Sequence, residues 1–69
     1  MAPTPRQIGM TIKRIRRDRK LSQYALAKAA GVSREYVRKL ETGGSDPTVG
    51  MLARLAKALG VAVTELLEE

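Results

Sequence analysis

Between Ser33 and Arg38 the chain gathers four side chains able to hydrogen-bond with base edges, Ser33, Arg34, Glu35 and Arg38. An arginine fork can hold guanine O6 and N7 with two parallel N–H groups, and a glutamate can accept from cytosine N4. The same residues can equally form a solvated ion network in which Arg34 and Arg38 flank Glu35, which contributes little to stability. Catalytic chemistry is poorly supplied. The 69 residues contain no Cys and no His, which removes the thiol nucleophile, the disulfide framework, the usual zinc ligands and the commonest general base. Glu35 and Glu41 are not spaced with any nucleophile or metal-ligand set. The expectation is a binding protein, not an enzyme, with no cofactor, no metal and no small-molecule ligand.

Charge narrows the partner. Thirteen Lys and Arg stand against seven Asp and Glu, a formal charge of +6, and the pI is near 10.3. Residues 1–20 hold seven basic residues and one acid, whereas residues 44–69 hold two basic residues and four acids. A basic front and an acidic tail favour an anionic partner, either nucleic acid or an acidic membrane surface. A solvated cationic helix face fits the composition as well. No apolar run approaches the roughly 20 residues of a membrane span, and the first ten residues contain no signal-peptide core. The expected location is the cytoplasm, close to the nucleoid.

These side chains need elements to position them. Residues 1–5, with two prolines, read as a flexible arm, and residues 6–69 as one domain. Ile8, Ile12 and Ile15 sit at i, i+4 and i+7 among Arg and Lys, which predicts a one-sided helix ending near Lys20. Ser22 can cap a second helix, QYALAKAA, closed by Gly31, and Ser33 can cap a third, REYVRKLE. The breaker-rich stretch from Thr42 to Pro47 predicts a loop. Thr48 can cap a fourth helix carrying Leu52, Leu55, Ala56 and Leu59, closed by Gly60, and Thr64 a last short one, ELLE. The class is all-α, five helices without a sheet.

Helices two and three are joined by only Gly31, Val32 and Ser33, a link that lets the second cross the first steeply and project from the domain. That crossing requires a small Ala27 and a wedge filled by Leu26, Val32, Val37 and Leu40. The outward face is then Ser33, Arg34, Glu35 and Arg38.

With those residues in place, the chain resembles the lambda repressor-like helix-turn-helix domains, which include phage repressor and Cro proteins. The match is carried by Leu21-Ser22-Gln23, Leu26-Ala27, Ala30-Gly31-Val32-Ser33 and Leu40-Glu41-Thr42-Gly43. It continues through Pro47-Thr48 and Leu55-Ala56-Lys57-Ala58-Leu59-Gly60-Val61 to Leu66-Leu67, nearly the whole chain. The resemblance implies a compact five-helix DNA-binding domain that regulates transcription, probing base edges with Ser33, Arg34, Glu35 and Arg38. It implies phosphate contacts from Arg16, Gln23, Tyr36, Lys39, Thr42, Gly43 and Ser45, although relatives often carry Lys or Arg in this loop where this chain has Gly44 and Asp46. An ion pair between Arg16 and Glu41 is implied as well. So is a homodimer through Met51, Val63, Leu66 and Leu67 that reads a pseudo-palindromic duplex. Leu66 and its neighbours can instead simply complete the core. Variants of this reading are a toxin-binding antitoxin and a restriction-modification controller; a protein-interaction module with this fold is the rival from another class.

Overall fold

The computed structural model describes residues 2–68. Five helices follow in order: α1 (Pro5–Asp18), α2 (Gln23–Ala30), α3 (Arg34–Glu41), α4 (Val49–Leu59) and α5 (Val63–Leu66). No strand occurs among the described residues.

Local chemistry sets most boundaries. Ser22 Oγ accepts from the Ala25 N–H at 2.9 Å, Ser33 Oγ from Tyr36 at 3.0 Å and Thr48 Oγ1 from Met51 at 3.1 Å. Each satisfies a backbone donor that the first helical turn leaves without a partner. Two expectations are corrected. Thr4 and Pro5, placed in an arm, are the cap and first residue of α1: Thr4 and Gln7 bond reciprocally at 2.7 and 3.1 Å, and proline suits the first turn. Thr64, expected as a cap, lies inside α5, which begins after Ala62. The Glu65 carboxylate accepts the Ala62 N–H at 2.8 Å and closes that end without a hydroxyl cap.

Four helices end in the same way. At Gly31, Gly43 and Gly60 the backbone turns left-handed, with φ of 72, 80 and 74°, and two N–H groups fold back on the last turn. At α2, for example, Val32 donates to the Ala27 carbonyl at 3.0 Å and Gly31 to that of Lys28. Helix α1 ends identically, with Leu21 donating to Arg16 at 3.0 Å and Lys20 to Arg17 at 2.9 Å. Here the left-handed residue is Lys20, φ 58°. The helix therefore stops at Asp18, short of the expected Lys20.

Helix α1 packs on α3 and α5, α2 on α3 and α4, and α4 on α5. Ile8, Ile12 and Ile15 meet Leu26, Val37, Leu40, Leu52, Leu55, Leu59 and Leu66 in one buried cluster. Each large side chain so buried contributes about 1.5–3 kcal/mol relative to exposure. Ala27 is small and buried at the α2–α3 crossing. The tightest approach is at Gly9, where a Cβ would lie 2.1 Å from the Leu40 carbonyl oxygen. Glycine there lets α1 rest directly on the backbone of α3. Leu66, expected at a dimer interface, has no exposed surface; it fills the core between α4 and α1 and is unavailable to a partner. Among the described residues no helix is long and apolar enough to cross a membrane.

Candidate nucleic-acid interface

The capping of α3 by Ser33 starts the helix so that Val37 and Leu40 turn inward while Arg34, Glu35, Arg38 and Lys39 stay exposed. Along this face Arg38 Nε donates to both oxygens of Glu35 at 3.1 Å, and Arg38 Nη2 also bonds the carboxylate. The Arg38 hydrogen bond holds the Glu35 carboxyl below the usual carboxylate range, and Glu35 in turn raises the Arg38 guanidinium. Of the two arginines expected to flank Glu35, only Arg38 joins it. Arg34 makes no side-chain hydrogen bond among the described residues and keeps its whole fork available. Ser33 is partly committed: its oxygen caps α3, leaving the hydroxyl proton to donate. Tyr36 is half-buried and packs against the core.

Behind this face lies a buried polar knot. Arg16 Nε donates to Glu41 Oε2 at 2.6 Å, Arg16 Nη2 to Glu41 Oε1 at 3.0 Å, and Arg16 Nη1 to the Leu21 carbonyl at 2.7 Å. Gln23 Nε2 adds a bond to Glu41 Oε1 at 3.1 Å. The structure thus brings together Arg16, Gln23 and Glu41 and ties α1, the start of α2 and the end of α3 to one carboxylate. No buried side-chain donor or acceptor among the described residues is left without a partner, the condition under which a buried ion pair is tolerated. The role of Gln23 in this knot was not legible from sequence. Its only signal was a position at the start of α2, which also exposes helix-end N–H groups suited to an anion.

The loop after α3 is partly corrected. The Gly43 N–H already donates to the Leu40 carbonyl at 3.1 Å and the Gly44 N–H to that of Lys39 at 2.9 Å. Thr42 Oγ1 donates to the Arg38 and Lys39 carbonyls at 3.2 and 2.9 Å. Gly43 and Thr42, expected on phosphate, are occupied in closing α3, because the last carbonyls of a helix take any nearby donor. Ser45 is half-buried beyond them. Of the residues assigned to dimerisation, Met51 and Val63 are half-buried and Leu67 is exposed, while Val49 in the first turn of α4 is 79% exposed. Val49 was not singled out from the sequence.

Five helices, with a short α2, a three-residue turn and an α3 that exposes forked cations beside a carboxylate, define a helix-turn-helix module. The helix-turn-helix (HTH_3) family matches residues 12–66, and the chain belongs to that family of DNA-binding transcription regulators. The immunity repressor of Bacillus phage phi105 is 39% identical over 62 residues, 90% of this chain and 43% of the repressor. An uncharacterised HTH-type transcriptional regulator of Sinorhizobium fredii, y4dJ, is 41% identical over 59 residues, 86% of this chain and 77% of that protein. The chain therefore spans under half of the phage repressor and about three quarters of the second relative. Among solved structures, the restriction-modification controller C.AhdI from Aeromonas hydrophila superposes with a TM-score of 0.89 at 30% identity, covering 91% of this chain and 96% of that one. The hypothetical transcription factor NHTF from Neisseria superposes at 0.90 with 27% identity, covering 96% of this chain and 76% of that one.

Proposed function

We propose that the protein represses transcription by occupying a pseudo-palindromic duplex operator as a homodimer, with α3 in the major groove. The observation that carries this reading is the exposed α3 face. Arg34 presents an unengaged fork, and Glu35 next to it is paired, as acceptor, with the donor Arg38 one turn further on. Arg34 suits guanine, and Glu35, its charge held by Arg38, suits the cytosine amino group. Gln23, Lys39 and Ser45 supply phosphate contacts. Arg16, expected on phosphate, is buried with Nε, Nη1 and Nη2 all donating within the protein, and its pair with Glu41 fixes the angle between α1 and α3 before DNA arrives, so less ordering is needed on binding.

Met51, Val63 and Leu67, joined by Val49, form the dimer surface in this reading. A two-fold dimer places its recognition helices about 34 Å apart, one helical turn of DNA. Binding to DNA in a bacterial cell sets the protein in the cytoplasm. The near end-to-end match with C.AhdI favours control of restriction-modification genes as a second reading with the same interface.

Selection of bound sites from random duplexes tests the proposal. The expected result is an enriched inverted repeat with half-sites about one turn apart. Recovery of no preferred sequence, or of single half-sites bound by a monomer in sedimentation, overturns it.

A further inference from the structure

The cations of α1 and of its C-cap Arg19 differ in their surroundings, and Arg16 is buried against Glu41. Arg14 leans toward Asp18 at 3.9 Å and, with Arg19, borders the acidic end of the chain at Glu65 and Glu68. Arg14 also borders a second groove, the one that Arg6, Lys13 and Arg17 line. With Met10 these three recur at i, i+4, i+7 and i+11, a single stripe along the helix, and the groove is open, with a volume of about 660 Å³. The groove has two carboxylates in its walls. Glu41 is buried and already holds Arg16 and Gln23, and Asp18 faces Arg14. Asp18 stays exposed but is offset by Arg14, so the accessible wall is net cationic, with Met10 offering an exposed apolar contact between the charges.

The groove is continuous with the end of α3. Thr42 lines it, a Cβ on Gly43 would sit 3.1 Å from Arg6 Cα, and Gly44 lies against the Lys39 stem. The seating of Gly9 on the Leu40 carbonyl holds α1 alongside. From Arg6 to Arg17 the stripe runs about 16 Å, an axial length over which one DNA strand presents about five phosphates. Three cations at this spacing can therefore meet separate phosphates.

We propose that Arg6, Lys13 and Arg17 bind the phosphodiester backbone of DNA that flanks the bases faced by α3. This rests on the DNA reading above and extends the contact along the exposed side of α1. The stripe supplies affinity without sequence choice, since backbone contacts position a protein and carry no base information.

The test compares the wild type with an R6Q/K13Q/R17Q variant on a selected duplex and an unrelated duplex, between 50 and 200 mM salt. Each neutralised phosphate contributes about 0.9 to the slope of log K against log salt. The variant is expected to lose about 2.7 from that slope, which corresponds to roughly 40-fold less affinity lost across this salt range. The loss should be equal on both duplexes. An R6K/R17K variant keeps the slope, and thermal melts confirm that each variant is folded. A K28Q/R54Q/K57Q variant removes the same charge from the groove between α2 and α4 and is expected to leave the slope nearly intact.

An equal fall in that control reduces the effect to net charge and overturns the proposal. An unchanged slope in the α1 variant also overturns it, including the case in which the groove serves an acidic protein segment instead. A wild type that selects no sequence but still loses slope on substitution supports the stripe while refuting the operator reading. Selection with an unchanged slope does the reverse.

Discussion

Arg16 and Glu41 stand 25 residues apart and meet through two parallel hydrogen bonds, at 2.6 and 3.0 Å, with both side chains almost entirely shielded from water. Removing one partner strands the other charge, which typically costs about 3–5 kcal/mol. In a 69-residue domain that is much of the total stability. Glu41→Ala is expected to lower the urea midpoint sharply and to weaken DNA binding, although Glu41 itself is buried. The double variant R16M/E41L should recover much of the stability but not the binding. Wild-type affinity together with wild-type stability in Glu41→Ala would contradict this account.

Gly9→Ala carries opposing effects. Alanine is the better helix former by about 1 kcal/mol, but its Cβ would meet the Leu40 carbonyl at 2.1 Å, and that obstacle is backbone. Overpacking of this kind costs about 1–3 kcal/mol or more. The clash wins, and a fall in Tm of several degrees is expected in circular dichroism melts.

Lys20→Gly should act in the opposite direction. A left-handed conformation costs a non-glycine residue about 1–2 kcal/mol, of which glycine's greater freedom when unfolded cancels about 0.4–1 kcal/mol. A gain of about 0.5 kcal/mol, or a few degrees in Tm, follows. Gly31→Ala and Gly60→Ala, at the equivalent places in α2 and α4, should each lower Tm.

Glu35→Gln removes the charge that Arg38 holds. Binding should strengthen on unrelated duplexes, because a carboxylate facing phosphates is lost, and selected sites should relax at the base pair opposite residue 35. The folded-state pKa of Glu35 is lowered, so the pair stabilises the protein above the usual carboxylate range and that stability is lost as pH falls through the lowered value. Glu35→Gln should show a flatter acid limb in stability against pH. Identical limbs would show that the pair contributes nothing in solution.

Much of the architecture was legible because its causes are local. Ser22, Ser33 and Thr48 each bond a backbone N–H three residues on, and Gly31 and Gly60 close helices through their own φ, so the residue type announces the boundary. Lys20 shows where that logic fails: an ordinary residue takes the left-handed position because the chain must turn there to bring Leu21 back over Arg16. Contacts that join distant segments were harder to read. The Arg16–Glu41 pair came from family resemblance alone. Nothing in the neighbourhood of Gly9 signals that α3 passes 31 residues later, and Gln23 gave no sign that it would reach Glu41. The loop glycines looked free to meet phosphate, yet the carbonyls of α3 claim their N–H groups first.

The Leu40 carbonyl has two dependants, since it accepts the Gly43 N–H at 3.1 Å while Gly9 lies directly over it. A mutation at position 9 therefore reaches the exit of α3 without crossing the core, and one at position 43 reaches α1. In a lineage of such proteins these two sites should drift together or not at all, so inheritance would treat the first helix and the loop after α3 as one unit.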